Sequence, residues 1–173
     1  MPTASEQTRE YLLGALDRLL KQKNFMDITV SELTRVAGVS RMTFYRHYGN
    51  IYELLNINLK QIMAELPTYD KLTTDEYESA IANYMNFFSA HSDFIKLILR
   101  AKQQNLLREN ITTVMRSLMT VKSNSLPFKE RDLKYYVSYH ANGFASVIID
   151  WFSNGQVETP EEMAAFLYKN ITT

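Results

Sequence analysis

Between positions 40 and 47 stand Ser40, Arg41, Thr43, Tyr45, Arg46 and His47, with Met42 and Phe44 between them. Guanidinium and imidazole groups bind phosphate oxygens or a guanine edge, and Ser, Thr and Tyr hydroxyls donate to phosphate. This is chemistry for holding a polyanion. The rest of the chain offers no catalytic counterpart: no Ser-His-Asp arrangement, glycine-rich phosphate cradle or metal-ligand spacing. Zero Cys removes thiolate ligands, a Cys nucleophile and a disulfide framework. His91 and His140 have no spaced His or carboxylate partner, so no metal and no cofactor is expected, and no enzyme.

Side chains of this kind need a support of fixed shape. Val30 to Ala37 reads as a short helix with Leu33 and Val36 inward, Gly38 frees the backbone for a turn, and Ser40 is a good N-cap for a second helix. Leu33, Val36, Val39 and Phe44 are spaced to pack the two helices together and onto a preceding one. The polar positions are then left facing out. A helix, a tight Gly turn and a second helix form a helix-turn-helix, whose second helix lies in a DNA major groove. A plain helical hairpin with a polar face fits the same pattern.

The elements around it are also helical. Leu12, Leu13, Leu16, Leu19 and Leu20 form one stripe, beginning after Ser5 or Thr8 and ending near "KQKN". Asn50 caps a longer helix that buries Leu54, Leu55, Ile57, Leu59 and Ile62 and stops at Pro67. Beyond it come a helix burying Tyr77, Ile81, Tyr84, Met85 and Phe88, and a short run "DFIKLILRA". "NLLRENITTVMRSLMTVKS" follows, with Pro127 marking the next start. A long aromatic helix then closes at Asn154-Gly155, and a last helix is capped by Thr159 with Pro160 in its first turn. The fold class is all-α.

At 173 residues the chain holds one large or two small domains. Its net charge is zero, yet residues 1–60 carry 8 Lys+Arg against 6 Asp+Glu, and residues 35–60 carry four cations against Glu53 alone. The excess is faint and lies on the side of an anionic partner. No apolar run approaches the roughly 18–20 residues of a membrane span, and the start "MPTASEQTRE" lacks the order of a signal peptide. A cytoplasmic location without membrane contact is expected.

The stretch "ALDRLLKQKNFMDITVSELTRVAGVSRMTFYRHYGNIYELL" resembles the N-terminal DNA-binding domain of the TetR family of transcriptional regulators. The likeness rests on Asn24-Phe25, Ile28-Thr29-Val30, Leu33-Thr34, Ala37-Gly38-Val39-Ser40, Thr43-Phe44-Tyr45, His47-Tyr48 and Leu54. It implies that Thr29 and Ser40 sit at helix starts near phosphates. Arg41, Met42 and Thr43 would face bases, and Tyr45 and His47 would touch phosphates, with Arg46 able to do either. Thr34 replaces the usual Ala, and Ile51 replaces the usual Lys, so one common phosphate contact is missing. The resemblance implies residues 1–50 as a three-helix DNA-binding domain and 51–173 as a helical effector-binding and dimerisation domain. By residue pattern alone the boundary lies near Pro67 or inside the helix before it.

The C-terminal stretch "YHANGFASVIIDWFSNGQVETPEEMAAFL" resembles a subset related to the activator of a dihydroxyacetone kinase operon. Gly143 permits close helix approach, and Val147, Trp151 and Phe166 add apolar area for a homodimer interface; the same residues also suit a monomer core. Aromatic and Met residues, among them Tyr84, Phe88, Met115, Met119, Tyr139 and His140, suit either a ligand pocket or plain core. The function expected is a sequence-specific regulator, expected as a repressor, that binds double-stranded operator DNA under a small-molecule or protein effector. The rival is a helical interaction or ligand-binding module that no longer reads DNA.

Overall fold

The computed structural model describes residues 3–67, 74–122 and 130–171. Pro127 lies outside them, and so do the side chains of Tyr77 and Met119. Among the described residues all regular structure is helical: α1 (Ala4–Leu20), α2 (Val30–Ala37), α3 (Arg41–His47), α4 (Ile51–Ala64), α5 (Thr74–Ala90), α6 (Ser92–Arg100), α7 (Gln104–Lys122), α8 (Glu130–Ser153) and α9 (Pro160–Ile171), with one 3-10 turn at Phe25–Asp27.

Helix α1 begins earlier than its apolar stripe suggests. Thr3 Oγ1 accepts from the Glu6 amide at 3.2 Å while Glu6 accepts from the Thr3 amide, a reciprocal cap that extends the helix past the last apolar position. The same device starts α9, where Thr159 and Glu162 exchange bonds of 3.2 and 2.8 Å. Helix α8 closes at Gly155, whose φ is 88°.

The core is continuous from end to end. Leu12, Leu16, Leu33, Phe44, Leu54 and Leu55 are fully buried where α1 to α4 converge. In α4 the inward face takes Ile51, Asn58 and Met63, while Ile57 and Ile62 are only partly buried. A face of positions 51, 54, 55, 58, 59 and 63 keeps the i, i+3, i+4 spacing that Ile57 and Ile62 break. Helix α4 also packs on α7, α7 on α8, and α5 on α9. Asp17 of α1 is bound by Lys21 at 3.1 Å and by Arg100 of α6. Arg9 of α1 donates to Gln61 of α4.

Candidate nucleic-acid interface

Helix α3 is built from its caps outward. Thr29 Oγ1 accepts from the Glu32 amide at 3.2 Å and opens α2. Gly38 closes it at φ 69°, where its amide reaches the carbonyls of Thr34 and Arg35. Ser40 Oγ then accepts from the Thr43 amide at 3.0 Å and opens α3. Buried Phe44 holds α3 against the core, with Tyr45 edge-on at 5.5 Å and Tyr48 tilted at 5.6 Å. Burial pushes the Tyr48 phenol up, so it stays neutral in its packed position.

This packing leaves Arg41, Met42, Tyr45, Arg46 and His47 exposed, Met42 at 76% and Tyr45 at 53%. Among the described residues neither Arg41 nor Arg46 has an ion pair or hydrogen bond. The carboxylates nearest in sequence are tied down. Glu32 takes Lys23 on both oxygens at 2.8 and 2.9 Å, and Glu53 accepts from the Gly49 amide at 2.7 Å. A Cβ at Gly49 would stand 2.8 Å from Glu53 Oε2, so the Glu53 carboxylate would have to shift to admit a side chain. The outer face of α3 is thus cationic, with its counter-charges turned toward backbone or Lys.

Thr43 is half-buried and its hydroxyl lies 2.9 Å from Ser40 Oγ. One of the two donates to the other, leaving a single hydroxyl hydrogen of the pair to face outward. Thr34 is buried, and its hydroxyl meets the carbonyl of Val30 at 2.8 Å, so the extra oxygen is satisfied inside its own helix. Ile51 is 7% exposed and points into the core, so its position presents no polar group outward. The neighbouring Tyr52 does face out, at the start of α4. Sequence reading passed over it, although the inward spacing of 51, 54 and 55 already puts position 52 on the outside. Tyr52 and Ile51 border an open groove of about 350 Å³ with Phe25, Met26, Ile28 and Gln103.

The residues expected to line a ligand pocket lie at different depths of the fold, with the side chain of Met119 outside the described residues. Phe88 is fully buried against Phe144 at 6.2 Å, whereas Tyr139 is 77% exposed on the outer side of α8. Met115 is buried, Tyr84 lies edge-on to Phe144 at 6.4 Å, and His140 stacks with Tyr136 at 4.2 Å. Of the interface group, Gly143 and Phe166 are exposed and Val147 is half-buried. Trp151 is buried and its indole N–H donates to the Glu158 carbonyl at 3.0 Å, which spends it inside the subunit. No three His, Asp or Glu among the described residues gather as a metal site. No helix there is long and apolar enough to cross a membrane.

Residues 12–56 match the family described as bacterial regulatory proteins, tetR family. Residues 75–173, more than half of the chain, match a family described as transcriptional regulator C-terminal region. The HTH-type transcriptional regulator YxbF of Bacillus subtilis is 41% identical over 61 residues, which are 35% of this chain and 16% of YxbF. An HTH-type regulator of Haemophilus influenzae is 20% identical over 153 residues, covering 83% of this chain and 75% of its own. Two solved structures share the fold at 16% identity. Lin0861 of Listeria innocua has a TM-score of 0.72 over 99% of this chain and 95% of its own. The dihydroxyacetone kinase operon activator DhaS has 0.58 over 95% and 92%. With a helix-turn-helix whose reading face is cationic, followed by a matching C-terminal domain, the chain belongs to the TetR family of DNA-binding transcriptional regulators.

Proposed function

We propose that the chain works in the cytoplasm as a homodimer that reads a palindromic operator, one α3 in each of two successive major grooves. The observation that carries this reading is the pair of exposed, unpartnered guanidiniums, Arg41 and Arg46, on a helix held by Phe44. In this reading Arg41, Met42 and Thr43 face base edges, with Met42 suited to a thymine methyl. Thr29, Ser40, Tyr45 and His47 face phosphates, joined by Tyr52, and Arg46 serves either. Residues 1–50 read DNA and residues 51–173 carry effector response and dimerisation, with α4 as the joint.

Two half-sites one helical turn apart need two reading helices roughly 34–36 Å apart, hence two subunits. Tyr135, Tyr139 and Gly143 stand four residues apart along the outside of α8, and Phe166 is 54% exposed on α9. Exposed Tyr135 and Tyr139 on α8 and Phe166 on α9 are apolar surface that suits an isologous contact with a second copy. Repression, lifted by a small-molecule or protein effector, is the sign we assign; DhaS, similar in fold, is by name an activator.

A gel shift with DNA from upstream of the chain's own gene tests the reading. Retention that weakens steeply with salt supports it; no retained band at low salt, with or without candidate effectors, overturns it. The dimer is tested by Tyr139→Glu in sedimentation: the variant should fall to monomer mass and lose retention together. A variant that keeps dimer mass refutes this interface.

A further inference from the structure

Helices α7 and α8 meet along a polar seam that runs from part-buried Arg108 to exposed Arg116. Arg108 donates to Ser146 Oγ at 2.7 Å, and Arg116 Nη2 lies 3.5 Å from Ser138 Oγ. The two rungs are equally far apart on both helices, so the pairs run antiparallel and the midway residues, Thr112 and Asn142, stand at the same level.

That middle rung is unfinished. Thr8, Thr34 and Thr113 each donate to the carbonyl four residues back, at 2.8, 2.8 and 2.7 Å. The Thr112 hydroxyl makes no such bond and is buried without a partner. Asn142 does not supply one, and its amide nitrogen turns back on its own helix to the Ser138 carbonyl at 2.8 Å and Ser138 Oγ at 3.4 Å. One turn from Thr112, half-buried Arg108 has no carboxylate partner among the described residues; its one bond goes to a neutral hydroxyl. A guanidinium and an unmet hydroxyl on one face of one helix are donors awaiting an acceptor.

We propose that this seam is a binding site for a small carboxylate, held by the Arg108 guanidinium and the Thr112 hydroxyl. A planar carboxylate matches the guanidinium fork and leaves lone pairs for one further donor. A phosphate dianion in the same half-apolar seam, beside Ile111 and Met115, would bring charge and oxygens that these donors leave unmatched. The acid would tie α7 to α8. Helix α7 also packs on α4, where Asn110 reaches Asn56 at 3.5 Å, so binding acts next to the support of the reading head. The site stands on α7 and α8 alone and does not depend on α3 binding DNA.

The test uses the full chain and straight-chain monocarboxylates from acetate to octanoate, each paired with its uncharged amide at constant ionic strength. Thermal unfolding and titration calorimetry are read together. At least one acid should raise Tm saturably while its amide does not. Thr112→Val should raise Tm without ligand, because the unmet hydroxyl is gone, and weaken the acid roughly tenfold or more; Arg108→Gln should weaken it likewise. The proposal is overturned if no acid gives a saturable shift or if acid and amide act alike. A Thr112→Val chain that melts lower and binds the acid unchanged also overturns it. A shift that inorganic phosphate reproduces and neither variant alters means an adventitious ion only, which overturns it too. Loss of gel retention with acid binding intact would count against the DNA reading, not against this site.

Discussion

At the scale of residues, the outer face of α3 separates two kinds of work. Arg41 and Arg46 carry charge without a partner among the described residues, so both guanidiniums are open to an anionic partner. If Arg46 meets a phosphate, Arg46→Ala weakens binding across all sequences and lowers the salt slope by about 1, whereas Arg41→Ala, at a base edge, also relaxes choice at one position. Met42→Ala should instead leave the slope alone and relax choice at a particular base pair, since an apolar side chain releases no counterion. Titrations at several salt concentrations against operator variants measure both. Identical profiles for Arg46→Ala and Met42→Ala would refute the division. Part of this face was legible beforehand, because a 3.6-residue period sets Met42 and Arg46 opposite inward Phe44, whereas Arg41 and His47, each three residues from Phe44, are exposed at the two ends of the helix. The bond between Ser40 and Thr43 was not, since cap geometry is settled by backbone angles that residue types only favour. Thr43 therefore offers less free chemistry than its type promises.

At the scale of elements, the helix-turn-helix depends on one backbone conformation. Gly38 sits at φ 69°, and a Cβ there would meet no atom within 4 Å, so the constraint is torsional rather than steric crowding by neighbours. Gly38→Ala should cost about 1–2 kcal/mol of stability while leaving the fold intact, as read by the urea midpoint at unchanged slope. A neutral result would mean that the turn relaxes to a right-handed form. The helix starts at Thr29, Ser40, Asn50 and Thr159 were all legible as caps, each bonded to the third helical amide as its side chain allows. The start of α1 was missed because its Thr3–Glu6 cap lies ahead of any apolar residue.

At the scale of the whole molecule, α8 and the helices around it set stability and its response to pH. Burial holds the His140 imidazole below its usual range, beside Tyr136 and Tyr139. The folded state then binds a proton less readily than the unfolded one, whose pKa is near 6.5. The stability His140 allows is present above that value and lost as pH falls through it toward the folded pKa. Denaturant midpoints should fall between about pH 7 and about pH 5 more steeply for the native chain than for His140→Gln; parallel curves would refute a neutral buried role. The sequence by itself determined the all-α class, the helix-turn-helix and its outward polar face, since amphipathic periods, caps and a turn glycine are local properties. It could not say which aromatics of α8 turn inward. That helix is apolar on most sides, so its period marks no single buried face, and only tertiary packing placed Trp151 inside and Tyr139 outside. Packing also decided that the Thr112 hydroxyl is buried without a partner, because an unmet hydroxyl is a property of neighbours and not of a residue type.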